Sequence, residues 1–177
     1  GGSTVAVRCP DHAVALELLR AFDGPLVAPS ANLSGTISPT TAAHVRSIFE
    51  DVLVLDGGPC RAGIESTVVS LLDDPPLVLR LGALSLDQFG IHTNTAARTP
   101  SGPLPSPGML DRHYAPRTPM SLFDGEAWPG VLAAYPGAIV LTHRADRPGV
   151  HEHLPGDDVG YARRLYAALH EADAMDA

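Results

Sequence analysis

Seven small or polar residues, 29–35, form the stretch that most constrains the fold, because they lie between a strand pattern and a helix start. Residues 26–28 are apolar and typical of a buried strand, which Pro29 ends because it has no N–H group for the ladder. Beyond the loop, Ser38 and Pro39 are typical of the N-cap and first position of a helix. This order predicts an α/β unit whose loop lies at a helix N-terminus, where anionic ligands collect.

Two interpretations of this loop are open from the residues alone. Ser, Asn and Gly are the ordinary residues of turns, so composition favours a plain loop. The other interpretation is a site for a nucleotide phosphate, since free N–H groups at a helix N-terminus attract anions. A Walker-type loop is excluded, because the Gly-x-x-x-x-Gly-Lys spacing is absent and the chain contains no lysine.

Strand and helix patterns alternate along residues 1–91, which predicts a twisted, mixed α/β sheet with helices. The helix patterns begin at Pro10 and Pro39, and Ser85 is expected to cap a short helix that ends near Gly90. The predicted strands are residues 4–8, 26–28 and 52–55, followed by a hairpin of residues 66–72 and 77–81.

Residues 92–119 show no periodicity and contain six of the 17 prolines, which predicts an extended, semi-rigid linker. The periodic pattern returns at residue 120, with a helix near residues 131–133, a strand at 138–141 and a helix from Asp158. We interpret this part as the start of a second, Rossmann-like α/β domain. The predicted domains are therefore residues 1–91, 92–119 and 120–177.

The net charge of −8 argues against a broad nucleic-acid surface, which needs a basic face. The linker is the exception, because residues 92–119 carry three Arg against one Asp, whereas residues 1–91 and 120–177 each have a net charge of −5. No apolar run approaches the ~20 residues needed to cross a bilayer. The two cysteines fit no disulfide framework or zinc spacing, which is typical of a reducing compartment, so a cytoplasmic location is predicted.

Several motifs in unbroken order between residues 4 and 119 resemble the YrdC-type threonylcarbamoyl-AMP synthases. They are the loop 29–35 with Ser38-Pro39-Thr40, then Asp56-Gly57-Gly58, residues 63–69 and Leu79-Arg80-Leu81-Gly82. Residues 106–109 and 112–116 are similar to the linker of the long, two-domain (Sua-type) members. The resemblance implies the C-terminal part of a YrdC-like catalytic domain, a linker that lies over the active site as a lid, and an incomplete C-terminal domain.

The resemblance also implies the reaction. In this family, L-threonine, bicarbonate and ATP give threonylcarbamoyl-AMP and pyrophosphate, and the product serves the threonylcarbamoyladenosine modification of tRNA. Mg²⁺ is expected to accompany ATP without an assigned protein ligand. A downstream tRNA-modifying transferase complex is an expected partner, tRNA contact is expected to be weak or indirect, and no membrane is expected to be involved.

The family pattern assigns two sets of site residues in this chain. The threonine-binding set is Arg8, Ala28 and Ser66; the ATP-binding set is Thr4, Ser30, Asn32, Ser38, Arg80, Arg112, His113 and Tyr114. The chemistry agrees at Arg8, since a guanidinium binds a carboxylate through two N–H groups, although a surface ion pair is the alternative. It agrees at Arg80 too, because a cation in an apolar strand needs an anion.

No catalytic residue is assigned, because the family's Lys and Arg motif would precede residue 1. We therefore expect this chain to be a fragment that is inactive alone. No metal site is predicted, since His143, His151 and His153 are more typical of a solvated loop. Two other functions stay open: a YrdC-like carbamoyltransferase domain of hydrogenase maturation, and a double-stranded RNA-binding module.

Overall fold

The computed structural model describes residues 4–72, 74, 76–89, 114–123, 127–144 and 151–175. The elements in chain order are α1 (Ala13–Phe22), α2 (Ala42–Arg46), β1 (Val68–Ser70), β2 (Leu77–Arg80), a 3₁₀ helix (Leu86–Phe89), α3 (Trp128–Ala134), β3 (Leu141–Thr142), β4 (Glu152–His153) and α4 (Asp158–Ala174). Strands β1 and β2 are antiparallel, and β3 and β4 are parallel. The predicted mixed α/β class is confirmed. No helix in these ranges is long and apolar enough to cross a membrane.

The predicted hairpin is confirmed with shorter strands. Val69 pairs with Val78, and Val68 pairs with Arg80, so the register shifts between Val68 and Val69. A shift of this kind increases the local twist and re-aims side chains at the strand end. It places Arg80 at the last position of β2, next to the segment that enters β1.

The larger sheet expected over residues 1–91 is not formed by the described residues. Residues 4–8, 26–28 and 52–55 were predicted as strands, but none is assigned as one. A strand needs a ladder partner, and no described segment pairs with these three. Their apolar side chains are correspondingly uncovered, with Val27 100% and Leu53 87% exposed.

The helix starts differ from the sequence prediction at one important position. Ser38 was expected to cap α2, but the N-cap is Thr41, whose Oγ1 accepts a hydrogen bond from the His44 N–H at 3.3 Å. The Ser38 hydroxyl is instead bonded to Glu65, so it is unavailable as a cap. After Ser85 the expected short helix forms, and the Gln88 side chain caps it by accepting from the Ser85 N–H at 2.9 Å.

The buried apolar side chains centre on α4. Ala168 and Leu169 belong to this helix, Val140 and Leu154 flank the β3–β4 pair, and Ile37 precedes Ser38. The linker prediction over residues 92–113 lies outside the described residues, and the three-domain division stays a prediction.

Candidate active site

Four side chains from four separate segments meet at one place: Ser38, Glu65, Arg80 and Tyr114, which we call the site cluster. The Ser38 hydroxyl donates to Glu65 Oε1 at 2.5 Å. Arg80 Nη2 lies 3.5 Å from Glu65 Oε2, and Arg80 Nη1 donates to the Tyr114 hydroxyl oxygen at 2.6 Å. The Arg80 and Glu65 side chains are only 14% and 18% exposed. Each charge therefore needs the other as a partner, because burying an unpaired charge is costly.

The backbone around the hairpin holds Arg80 in place. Its Nε donates to the Ser66 carbonyl at 3.0 Å. Gly82 follows two residues later, where a Cβ would lie 2.3 Å from the Glu65 carbonyl oxygen. The Ala83 N–H donates to that same oxygen at 3.1 Å. The glycine therefore permits the close approach of two backbone segments, one carrying Glu65 and the other Arg80.

The loop at residues 29–35 is joined to the segment that carries Tyr114. The Ala115 N–H donates to the Gly35 carbonyl at 3.1 Å, and Thr36 and Ala115 form an isolated parallel bridge. Within the loop, Asn32 Nδ2 donates to the Thr36 carbonyl at 2.8 Å. The buried Asn32 Oδ1 has no partner among the described residues, so it can accept a hydrogen bond from a ligand.

Both tyrosines near the cluster are neutral at physiological pH. Burial and the negative charge of Glu65 raise the pKa of Tyr114, against the opposing effect of Arg80. Burial and Glu65 raise the pKa of Tyr166 to about 12. The two rings stack with their centroids 6.0 Å apart. Because the Tyr114 oxygen accepts a hydrogen bond from Arg80, the guanidinium fixes the position of this hydroxyl group.

Two histidines, His44 and His170, contact the segment of residues 38–40. The rings of His44 and His170 stack with their centroids 4.0 Å apart. The Thr40 N–H donates to His44 Nδ1 at 3.2 Å, which makes that nitrogen an acceptor. Burial, followed by the neighbouring His170, lowers the pKa of His44, while Glu171 opposes this effect. The neutral ring is therefore the form that this packing favours.

The His44 environment predicts loss of stability in acid. A pKa below the ordinary 6.5 means that the unfolded chain binds the proton more readily. This contribution is thus fully present above pH 6.5 and is lost as the pH falls through the folded-state pKa. We expect the thermal midpoint to drop between about pH 7.5 and about pH 5.5, and to drop less in His44→Phe. Calorimetry at both pH values checks this, and equal drops in the two proteins would contradict it.

The structure brings some of the predicted site residues together and leaves others apart. Ser38, Arg80 and Tyr114 belong to the site cluster, and Ser66 joins it through its carbonyl. Asn32 organises the adjoining loop. Among the described residues, no hydrogen bond links the cluster to the four exposed members of the predicted set, Thr4, Arg8, Ala28 and Ser30. Arg112 and His113 lie outside the described residues.

Three residues at or beside the cluster were not predicted: Glu65, Tyr166 and His170. Glu65 lies inside a motif that carries the family resemblance, and the expectation that Arg80 needs an anion could have pointed to it. Tyr166 and His170 are four residues apart, so they share a face of α4. Nothing in the local sequence connects that face with Ser38, which is 132 residues from His170.

Two family models match the chain in succession. A model described as Telomere recombination covers residues 1–82. A second, described as Threonylcarbamoyl-AMP synthase, C-terminal domain, covers residues 78–177, which is more than half of the chain. The chain belongs to the threonylcarbamoyl-AMP synthase family. The cluster of this family member draws on both matched regions, since Tyr114 lies in the second.

Relatives of this threonylcarbamoyl-AMP synthase family member come from distant organisms. A Threonylcarbamoyl-AMP synthase from Bacillus subtilis (strain 168) is 42% identical over 132 residues, covering 71% of this chain and 38% of the relative. One from Schizosaccharomyces pombe is 40% identical over 167 residues, covering 85% of this chain and 41% of the relative. The chain thus spans about two fifths of the length of these curated relatives.

A solved structure resembles the fold of this threonylcarbamoyl-AMP synthase family member. The crystal structure of P. abyssi Sua5 complexed with L-threonine superposes with a TM-score of 0.74 at 32% identity. The match covers 96% of this chain and 55% of that one. The mixed α/β arrangement described above is therefore that of Sua5 structures.

Proposed function

We propose that the complete gene product forms threonylcarbamoyl-AMP and pyrophosphate from L-threonine, bicarbonate and ATP, in the service of tRNA modification. The observation that carries this proposal is a chain of hydrogen bonds that joins three residues assigned to ATP: Ser38 and Arg80 both bond Glu65, and Arg80 also bonds Tyr114. The relatives named Threonylcarbamoyl-AMP synthase and the Sua5 complex with L-threonine support the substrate assignment.

The chemistry needs positioning and charge neutralisation more than covalent help. The threonine amine and bicarbonate combine to a carbamate with loss of water. A carbamate oxygen then forms a bond to the α-phosphorus, the bond from that phosphorus to the bridging oxygen breaks, and pyrophosphate leaves with the electron pair. Arg80 and the Tyr114 hydroxyl would supply positive charge and a donor to the phosphates, while Glu65 holds Arg80 in orientation.

Threonine and ATP would bind in one shared site. The assignment of Arg8, Ala28 and Ser66 to threonine, and of Thr4, Ser30, Asn32, Ser38, Arg80, Arg112, His113 and Tyr114 to ATP, is part of this proposal. A cytoplasmic location, a downstream transferase complex and weak or indirect tRNA contact belong to it as well.

The proposal includes Mg²⁺ only as an ion that ATP itself binds. The described residues contain no group of three or more His, Cys, Asp or Glu side chains that could hold a metal ion. Glu65, the carboxylate at the cluster, is already bonded to Ser38 and Arg80. These residues do not fit a protein-held Mg²⁺, so the ion would be bound by the ATP phosphates, which are its usual ligands.

The linker would act as a lid over the nucleotide. Two contacts in its described part support this role: the Ala115 bond to Gly35, and the N–H groups of Arg117 and Thr118, which both donate to the Asp173 carboxylate at 2.9 Å. Between these anchors and the hairpin lies Tyr114, with its hydroxyl on Arg80. A closed lid would also keep water from the labile acyl-adenylate.

The lid role predicts the behaviour of the double variant Arg112→Ala/Tyr114→Phe. Because two donors to phosphate oxygens are lost, we expect ATP affinity to fall roughly tenfold or more, or the intermediate to hydrolyse faster. The free energy of unfolding should change little. ATP titration, intermediate decay and urea unfolding of the complete gene product measure these three quantities. If the double variant matches the unaltered protein in affinity, turnover and intermediate lifetime, the lid role is wrong and the linker only tethers the two domains.

Product formation tests the proposed function directly. The complete gene product is incubated with ATP, Mg²⁺, labelled bicarbonate and L-threonine, and the labelled adenylate is separated by chromatography. We expect label in threonylcarbamoyl-AMP only when all three substrates are present, with one pyrophosphate released per product. Binding of double-stranded RNA without ATP binding would favour the RNA-binding module. Carbamoyl transfer without a threonine requirement would favour the carbamoyltransferase.

A further inference from the structure

Helix α4 contacts the site cluster at two places. Tyr166 stacks on Tyr114. One turn further along the helix, His170 Nε2 lies 3.1 Å from the Ser38 carbonyl oxygen and donates to it. The two α4 residues are one helical turn apart, so a single face of the helix contacts the first and last members of the cluster.

The segment that carries Ser38 is held from two sides by the histidine pair. His170 contacts the Ser38 carbonyl, and its ring stacks on His44 with an interplanar angle of 29°. His44 in turn accepts from the Thr40 N–H. Ser38 and Thr40 are 8% and 5% exposed, so their backbone groups have little access to water as an alternative partner.

We propose that His170 is a positioning residue of the nucleotide site, acting on ATP through Ser38 without touching it. This inference rests on the proposed function. The hydrogen bond fixes the Ser38 carbonyl, and the fixed backbone directs the Ser38 hydroxyl at Glu65. Glu65 orients Arg80, and Arg80 orients Tyr114. His170 therefore connects α4 to the ATP side of the site.

Loss of the His170 N–H would weaken the binding of ATP more than the binding of threonine. The Ser38 carbonyl would lose its partner in a poorly hydrated place, and the segment would shift to find another. The groups displaced by that shift, Ser38 and Arg80, are both assigned to ATP. A merely structural role of His170 would instead lower stability and affect both substrates alike.

Glu171 of α4 acts electrostatically on His44 and opposes the lowering of its pKa. Glu171 adjoins His170 and is paired with Arg164. Arg164 is also paired with Glu152 in β4. Protonation of His44 would turn its Nδ1 from an acceptor into a donor aimed at the Thr40 N–H, so acid should loosen the same segment.

Two substitutions separate the hydrogen bond from the ring stack in the complete gene product. His170→Phe keeps a ring on His44 but cannot donate to Ser38, whereas His170→Gln places an amide N–H near the original Nε2. His153→Phe makes the matched exchange at an exposed residue of β4. The readouts are kcat, the KM for ATP, the KM for threonine and the thermal midpoint, with the unaltered protein assayed in parallel.

We expect His170→Phe to raise the KM for ATP about three- to tenfold with the KM for threonine nearly unchanged, and His170→Gln and His153→Phe to stay within about twofold of the unaltered protein. An unchanged KM for ATP in His170→Phe overturns the inference, and so does an equal rise for both substrates. No product from the unaltered protein overturns the proposed function, and this inference with it.

If His170→Phe does not fold, His170→Asn decides between the outcomes. The Asn side chain is one methylene shorter than Gln, so its amide N–H does not reach the Ser38 carbonyl, whereas that of His170→Gln does. We expect His170→Asn to raise the KM for ATP about three- to tenfold over that of His170→Gln, with the KM for threonine nearly unchanged. Equal KM values for ATP in the two variants overturn the inference.

Discussion

Replacing Arg80 with methionine is expected to lower kcat/KM for ATP by roughly 100-fold or more in the complete gene product. The substitution keeps much of the aliphatic side chain but removes the positive charge and the donors to Tyr114 and Ser66. A charged donor to a phosphate contributes most where charge develops in the transition state. Steady-state kinetics with varied ATP at saturating threonine and bicarbonate measures the loss.

Arg80→Met also leaves Glu65 without its cation, so the single variant should lose stability as well as activity. Because the pair is mostly buried, the cost should exceed the ~0 to 1 kcal/mol of an exposed pair. Adding Glu65→Gln removes the orphaned charge, so the double variant should recover stability without recovering turnover. Arg46→Met is the matched control, since the Arg46–Asp56 pair is 3.6 Å long with both side chains more than half exposed. Recovery of turnover in the double variant would mean that Arg80 acts only on folding.

Gly63→Ala is expected to cost about 2–5 kcal/mol of unfolding free energy. Gly63 has φ +73, and a Cβ there would lie 2.3 Å from the Arg163 carbonyl oxygen in α4. The cost of left-handed backbone strain and the cost of overpacking therefore add up. The overpacking is not easily relieved, because the atoms that the Cβ meets belong to the backbone of Arg163 and not to a flexible side chain. Urea unfolding measures the loss. ATP affinity should fall too, since α4 carries Tyr166 and His170.

Gly58→Ala separates strain from overpacking. Gly58 has a similar φ of +84, but its added Cβ would meet no atom within 4 Å. We expect this variant to lose only the strain contribution, about 1–3 kcal/mol at most, and to keep its ATP affinity. Equal losses in the two variants would show that α4 does not press on Gly63 in solution.

Elements that depend on local sequence were predicted well. The hairpin followed from two β-rich runs around a turn, and α4 from the helical pattern that begins near Asp158. The strands at residues 4–8, 26–28 and 52–55 were wrong for the described residues, because an apolar run specifies a strand only when a partner lies alongside it. The Ser38 cap was also wrong, since a hydroxyl that can cap a helix can equally bond a carboxylate 27 residues away.

The candidate site was predictable only in part. Ser38, Arg80 and Tyr114 were identified through the family resemblance, and the structure brings them together. Glu65 and His170 were missed because their roles depend on contacts between segments distant in sequence, which periodicity does not report. In the sequence, the polar face of α4 is typical of a solvated surface. Only the fold shows that this face lies against Ser38.

The most direct test of the cluster as an ATP site is the ratio of the Kd for adenosine to the Kd for ATP, measured by calorimetric titration of the complete gene product. Both ligands share the nucleoside, so the ratio isolates binding of the phosphates. If Arg80 meets a phosphate, the ratio should fall at least about tenfold in Arg80→Met/Glu65→Gln and stay unchanged in Arg46→Met. A ratio that is the same in the double variant and the unaltered protein would contradict the assignment of this cluster to ATP.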